Sequence, residues 1–424
     1  MRVLVTGTST FFGARIVQEL GRQGVHVTAA DSVRFSAGKM SRYCEQHLHL
    51  PQMGKNPKAW LDQLVNHLQR HQYDLLLPTF EESLLLAEHA AEVSRYTQLM
   101  TTRFDTMLAV HCKPVLHERC QKWSIPSPAT WWPNDEPELR SLAARLSYPV
   151  LLKLPMSNNS VGRIACHCAG DLIHAYQQAT SHSMIHPMER PFVQQVISGE
   201  LICTLMYCHE GRKLGEVIYR SLRTVPDGGG TSAHRESIDH PAIAELTEHF
   251  ARQTQWSGFV GLDLIVDRDQ SAFVIDVNPR ANPGTNLGFM AGVNWTSLIQ
   301  QIVRGESPQF AQAKAGVRTR TVLLDIAWLL ESLEKPGNRL AKVRHRLKHF
   351  LRPEWRSDGR DLLSCREDWR ATLALGLHGF RSLVSSCWHR IPIGQCALED
   401  ANYHFATASA MSPKSPPLEH RRAA

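Results

Sequence analysis

Gly261-Leu262-Asp263-Leu264-Ile265-Val266 is followed by Asp267-Arg268-Asp269-Gln270-Ser271-Ala272 and then by Phe273-Val274-Ile275-Asp276-Val277-Asn278-Pro279-Arg280. Two apolar runs flank a polar, turn-like hexapeptide, which predicts an antiparallel hairpin. Setting Val266 opposite Phe273 places Asp263 opposite Asp276. Asn278, two residues on, projects from the same face. Two carboxylates and an amide oxygen then converge inside apolar strands. Like charges repel and their burial is costly. A divalent cation relieves both problems, and an all-oxygen set suits Mg²⁺, with Mn²⁺ as the alternative. The plain alternative is a solvated hairpin face carrying ordinary surface acids.

Other elements precede the hairpin. Lys113 opens a predicted helix that leads into Ser124-Ile125-Pro126-Ser127-Pro128. Lys153 ends the strand-like run Tyr148-Pro149-Val150-Leu151-Leu152-Lys153. A further strand is predicted over Phe192-Val193-Gln194-Gln195-Val196-Ile197, continuing into Ser198-Gly199-Glu200. Taken singly these are ordinary features; a lysine at a strand end commonly lays its stem along apolar surface. Together, in this order, they resemble the ATP-grasp superfamily in its carbamoyl-phosphate-synthetase-like and carboxylate–amine ligase branches. The resemblance spans about residues 1–308.

It implies an ATP- and Mg²⁺-dependent ligase that activates a carboxylate as an acyl phosphate and joins it to an amine. Lys113 and Lys153 match the two ATP lysines. Ser160 and Gly162 fall in the loop that would cover the phosphates. Gln194, Gln195, Val196 and Ile197 match the hinge strand that reads adenine, and Glu200 matches the ribose-holding glutamate. Asp263, Asp276 and Asn278 match the metal ligands, and Arg280 matches the arginine at the transferring group. There are departures. The covering loop reads Pro-Met-Ser-Asn-Asn-Ser-Val-Gly over residues 155–162, with Gly162 its one glycine. Its Ser and Asn residues still tolerate turn geometry and present backbone N–H groups. Glutamine stands where glutamate is frequent in the hinge, and Asp263 stands where many relatives have glutamate. Two alternatives stay open: a non-catalytic nucleotide-binding regulatory or scaffold protein, and an enzyme that forms carbamoyl or carboxyl phosphate.

Working toward the N-terminus, residues 1–110 alternate short strands with helices, the texture of a Rossmann-like domain. Thr6-Gly7-Thr8-Ser9-Thr10-Phe11-Phe12-Gly13 sits where a dinucleotide fingerprint would, with Asp31 ending the second strand. Thr10 occupies the place of the middle glycine, and its Cβ obstructs a pyrophosphate. No Tyr-x-x-x-Lys pair exists for reductase chemistry. The glycines are therefore read as making the turn only, with a nicotinamide-dependent reductase as the alternative. The predicted organisation is a pre-ATP-grasp domain (1–110), a small grasp subdomain (111–190) and a large one with the metal site (191–308). A helical basic region (309–410) and a disordered tail (411–424) follow.

Tyr219-Arg220-Ser221-Leu222-Arg223 runs into a segment with three consecutive glycines, 228–230, suited to a closing lid. Arg220 or Arg223 is expected to bind the substrate carboxylate beneath it; a flexible hairpin tip with surface arginines is the alternative.

The chain of 424 residues has 43% apolar and 21% charged residues and a net charge of +7. This is globular composition, which excludes collagen-like and wholly disordered chains. Residues 335–390 carry thirteen Lys/Arg against five Asp/Glu, so the basicity is local. A solvated basic helix capping the grasp is the preferred reading there. A patch for an acidic partner or a membrane surface is the alternative; no nucleic-acid motif accompanies it. Ten cysteines without Cys-x-x-Cys pairing argue for reduced thiols. No window approaches 18 apolar residues, and the start lacks a signal-peptide core, so a cytoplasmic location is expected. Small-molecule carboxylate and amine substrates are the expected partners, and a homodimer is compatible with the sequence.

Overall fold

The computed structural model describes residues 1–156, 163–181, 189–225, 231–334, 344–348, 359–360 and 366–389. Five parallel strands open the chain: β1 (Arg2–Val5), β2 (His26–Asp31), β3 (Gln46–His49), β4 (Leu75–Leu77) and β5 (Gln98–Leu99). Their spatial order is β3-β2-β1-β4-β5. Helices α1 (Phe11–Arg22), α2 (Ala37–Met40), α3 (Pro57–Arg70), α4 (Glu82–Glu88) and α5 (Ala90–Val93) connect them. The order reverses beside β1, so the loops after β1 and β4 face one crevice.

The first of these loops is filled by protein. Thr10 caps α1: its hydroxyl accepts from Gly13 N at 3.0 Å and donates to Gly7 O at 2.8 Å. Gly7 has φ +68°, and a Cβ there would lie 2.8 Å from Glu82 Oε1, so glycine is required. Asp31 is buried and accepts from Ser9 N (2.6 Å) and Val33 N (2.8 Å). Helix α2 lies over Thr8, with Gly38 N donating to Thr8 O at 3.0 Å. The space a dinucleotide would need is taken, and the glycines serve the turn.

Helices α6 (Phe104–His111) and α7 (Lys113–Lys122) lead to a second sheet. It comprises β6 (Thr130–Trp131), β7 (Val150–Lys153), β8 (Ile164–Cys166) and β9 (Phe192–Gln195), in the order β6-β9-β7-β8, with α8 (Glu136–Ala143) and α9 (Ala169–Thr180) packed on it. The predicted strand over 192–197 thus ends at Gln195. Because β9 hydrogen-bonds to β7, the subdomain boundary falls after it and not at 190.

The third sheet is antiparallel over most of its width. It holds β10 (Glu200–His209), β11 (Arg212–Val225), β12 (Thr231–Ile238), β13 (Gly258–Val266), β14 (Ala272–Asn278), β15 (Ala311–Gln312), β16 (Arg318–Arg320) and β17 (Gly359–Arg360). The order is β14-β13-β10-β11-β12-β16-β17, with β15 added in parallel to β11. Helices α10 (Pro241–Thr254), α11 (Gly284–Met290) and α12 (Trp295–Val303) follow their strands, and α13 (Val322–Glu334) and α14 (Trp369–His389) come last. The expectation of a helical region from 309 is corrected here. Residues 311–320 supply two strands to the large sheet before the helices begin. The predicted tail from 411 lies outside the described residues, as does much of the basic segment.

Two hydrophobic cores run between the N-terminal and large sheets, joining for example Leu4 and Leu76 with Ile202 and Val260, and Val5 and Leu77 with Leu205 and Phe259. The small sheet has a separate core of Leu139, Val150, Leu152, Leu172, Tyr176 and Val193. One body is built from the two outer domains, and the small subdomain stands as its own packing unit.

Candidate functional site

The β13–β14 hairpin brings Asp263 opposite Asp276 and Gly261 opposite Asn278. The pairing was expected, but the reason differs. The turn is one residue shorter, so Val266 faces Ala272 and Ile265 faces Phe273. A bulge between Asp263 and Leu264 then restores the expected register at the carboxylates. Gly261 is required here too, since a Cβ would come within 2.2 Å of Asn282 Nδ2. Asn278 Nδ2 donates to Asp263 Oδ2 at 3.4 Å. Burial, and after it the Asp276 charge, push the Asp263 carboxyl up to about 6.

Lys113 reaches this pair from the start of α7, with Nζ 3.2 Å from Asp276 Oδ1 and only 5% of its side chain exposed. Its backbone N–H donates to Pro155 O at 3.2 Å, which ties α7 to the first residues of the 155–162 loop. Ser160 and Gly162 of that loop lie outside the described residues. The donors facing one another are two carboxylates, an amide and a lysine. That chemistry fits Mg²⁺, which takes one or two carboxylates and completes its shell with water and phosphate oxygens. Among the described residues no cluster of three or more His, Cys, Asp or Glu gathers as a zinc-type site would require.

Across the crevice, Lys153 ends β7 and donates to Gln194 Oε1 at 3.0 Å. Gln194 Nε2 in turn donates to Thr130 Oγ1 at 3.1 Å. The Gln194 side chain is therefore committed to Lys153 and Thr130. Lys153 is buried; desolvation first, and the neighbouring Lys113 charge next, lower its ammonium to about 8. Gln195 is exposed, and its Oε1 accepts weakly from Ala129 N at 3.4 Å. Val196 and Ile197 follow the strand in the connection to β10. Glu200, the first residue of β10, keeps an exposed carboxylate at the same rim.

Arg280 follows the hairpin and is buried. Its Nε donates to Glu81 Oε1 at 2.6 Å, and its guanidinium lies 4.6 Å from the centroid of Phe80. Glu81 belongs to the loop after β4, so the N-terminal domain contributes to the site. That loop is braced from within: Glu82 Oε1 accepts from Thr6 Oγ1 (2.7 Å), Thr79 N (2.9 Å) and Phe80 N (3.1 Å). Ser83 Oγ donates to Pro279 O at 3.0 Å, a second tie to the Arg280 segment. Sequence reasoning missed Glu81 and Ser83. The available signal was the acid pair Glu81-Glu82 directly after the buried strand and Pro78.

Arg223 and Arg220, the two arginines expected near a substrate carboxylate, have different surroundings. The Arg223 guanidinium is 4% exposed, 3.2 Å from Asp325 Oδ1 on α13 and stacked on Trp328 at 5.0 Å. A second arginine, Arg320, meets the other oxygen of Asp325 at 3.1 Å. His234, wedged beside them, is pushed down to about 3 by burial and the surrounding arginines, and is neutral. Arg223 and Arg320 thus share one internal carboxylate, Asp325. Arg220 is different. It donates to Glu236 Oε2 through Nε (2.9 Å) and Nη2 (2.7 Å), and its Nη1 lies 3.9 Å from Glu200. It belongs to the Glu200 rim. The three glycines of the expected lid lie outside the described residues.

The sequence matches no protein-family model. The backbone does have solved counterparts. The biotin carboxylase domain of Hydrogenobacter thermophilus 2-oxoglutarate carboxylase superposes with a TM-score of 0.59 at 15% identity, covering 75% of this chain and 73% of that one. Biotin carboxylase from Campylobacter jejuni gives 0.60 at 14% identity, covering 72% and 71%. The chain has the ATP-grasp fold. Among ATP-grasp structures, L-amino acid ligase from Bacillus licheniformis matches with a TM-score of 0.55 at 16% identity, covering 72% and 74%. The Hydrogenobacter structure is a dimer holding MgADP and bicarbonate. On this frame Lys113, Asp276 and Asp263 lie close enough to Lys153 for their charges to act on it. No described helix is long and apolar enough to cross a membrane.

Proposed function

We propose that the protein is an ATP-dependent ligase that activates a substrate carboxylate as an acyl phosphate and couples it to an amine. The observation that carries this reading is the convergence of Asp263, Asp276, Asn278 and Lys113 opposite Lys153, across two separately packed sheets. Asp263, Asp276 and Asn278 would hold Mg²⁺, or Mn²⁺ with the same donors; the ion supplies charge neutralisation on the phosphates. Backbone groups of residues 194–197 read adenine, and Glu200, steadied by Arg220, holds the ribose hydroxyls. Lys113 and Lys153 hold the phosphates, and residues 155–162, with Ser160 and Gly162, cover them.

Phosphoryl transfer then needs mostly positioning and charge compensation. A carboxylate oxygen attacks the γ-phosphorus in line and ADP leaves. Arg280, oriented by Glu81 and Phe80, stabilises charge on the transferring group and on the acyl phosphate. The amine then attacks the acyl carbon and phosphate departs. A homodimer and a cytoplasmic setting suit this reading.

Hydroxylamine trapping tests it. Protein, ATP and Mg²⁺ with pooled carboxylic acids and amino acids are expected to yield a hydroxamate and ADP, both absent with Asp276→Ala. ADP formed only on adding bicarbonate would move the reading to carboxyl phosphate chemistry. Nucleotide binding without turnover across the pool would leave a non-catalytic sensor.

The Lys153–Gln194 pair gives a pH prediction. The cationic lysine binds phosphate, so ATP affinity is expected to fall as pH rises through about 8. Gln194→Glu places a carboxylate beside the ammonium and is expected to move that alkaline limb up by about one unit. Calorimetric ATP titrations from pH 6.5 to 10 check it; identical limbs in both proteins would remove Lys153 from the phosphate site.

A further inference from the structure

Helix α14 is pinned to the N-terminal domain at its start. Asp368, immediately before it, is buried and accepts from Gln18 Nε2 (2.6 Å), Ser41 Oγ (2.5 Å) and Arg42 N (3.0 Å). Ala371, Ala374, Leu375 and Ser382 face inward. The opposite face is apolar and, among the described residues, exposed. Trp369, Leu373, Leu377, Phe380 and Val384 are between 49% and 63% exposed. Their spacing of four, four, three and four residues aligns them in one stripe. At 1.5 Å per residue the stripe is about 22 Å long. Phe35 of the N-terminal domain, 64% exposed, stands beside it. An outward stripe of this size is unusual on a protein that keeps it in water.

The surrounding charge says what it meets. Arg370 and Arg381 border the stripe, and with Arg34 they line an apolar cavity of about 420 Å³ between α14 and the 33–40 segment. A second cavity of about 520 Å³ shares Arg34, Phe35 and Met40 with the first and adds Lys39, His47 and His49. Among the described residues no acidic side chain lines either cavity. The exposed acid at the head of the helix, Glu367, is paired with Arg22 at 3.1 Å.

We propose that this face is a docking surface for an anionic lipid bilayer. Trp369, Leu373, Leu377 and Phe380 enter the headgroup–acyl boundary, while Arg34, Arg370 and Arg381 meet lipid phosphates and carboxylates. Aromatic and aliphatic residues on one helix face with arginines along its edge are the chemistry of an in-plane interfacial helix. Arg34 also lines the second cavity and carries the same complementarity there. The surface lies on the N-terminal domain and the C-terminal helix, away from the site residues described above.

Co-sedimentation of the full-length protein with vesicles tests this. Phosphatidylcholine vesicles containing phosphatidylserine are expected to bind it about tenfold or more tightly than pure phosphatidylcholine vesicles, with the difference shrinking in salt. Leu373→Glu with Leu377→Glu is expected to abolish binding to both. Arg370→Glu with Arg381→Glu is expected to remove only the anionic preference. All these residues are exposed, so unchanged melting temperature and ATP binding show that the variants fold. Absence of vesicle binding, or equal binding to both vesicle types, overturns the proposal. A concentration-dependent dimer that the leucine variant makes monomeric, without vesicle binding, assigns the face to a second copy of the chain instead.

Discussion

Replacing Asp263 by asparagine is expected to lower ATP turnover about a thousandfold while raising the melting temperature of the metal-free protein by a few degrees. The two effects share one cause. Asp263 is half-buried beside Asp276, and desolvation there, with the Asp276 charge after it, raises its carboxyl from 3.8 to about 6. A carboxylate whose folded value is raised costs stability once it ionises. That cost is absent below about pH 4, grows between the two values and is complete above pH 6. Its full size is about 3 kcal/mol. Asparagine keeps the acceptor for Asn278 and removes the charge. The variant should therefore be more stable than wild type at pH 7.5 and indistinguishable from it near pH 4. Mg²⁺ with ATP should stabilise wild type and not the variant, closing the gap. Thermal melts at the two pH values, with and without MgATP, read all of this. A variant that melts lower than wild type at pH 7.5 would mean that Asp263 is already compensated and is no cation ligand in waiting.

The second large effect concerns Arg280. Arg280→Met takes the guanidinium away from the buried Glu81 carboxylate and is expected to destabilise by about 3–5 kcal/mol. Loss of activity in that variant would say little by itself. Adding Glu81→Leu removes the facing carboxylate as well and is expected to restore most of the stability, because the new side chains can pack against the Phe80 ring on which Arg280 lies. Turnover in the double variant should stay about a hundredfold to a thousandfold below wild type. Denaturant titrations and ADP release separate the two roles. Recovery of both stability and turnover would reduce the pair to a structural tie between domains.

Much of the site was legible because its chemistry is written in neighbouring residues. The hairpin of residues 261–280 carries its acids within apolar strands, and the period of two decides which side chains share a face. Even so, the register premise was off by one residue, and the bulge beside Asp263 cancelled the error; bulges have no strong local signature in sequence. Lys113 and Lys153 could be singled out because each sits at the end of an element that can be read locally. Glu81 was not, since its partner Arg280 is 199 residues away. The internal partner of Arg223 was hidden for the same reason: the helix that carries it begins about a hundred residues later, and Asp325 looks like any acid in a helical first turn. The strands at 311–320 are too short and too polar to register as strands until the edge of β11 and β12 is there to receive them.

The small subdomain's separate core bears on how the molecule holds together as a machine. A lobe with its own apolar interior can open and shut its own ledger of order, largely independent of the body below it. Nucleotide bound between Lys153 on one side and the hairpin acids with Lys113 on the other would span the seam. It would then be a reactant and also a rivet: the ligand that is consumed would be what makes two cooperative units behave as one, and each turnover would end by loosening the join that the next molecule must remake.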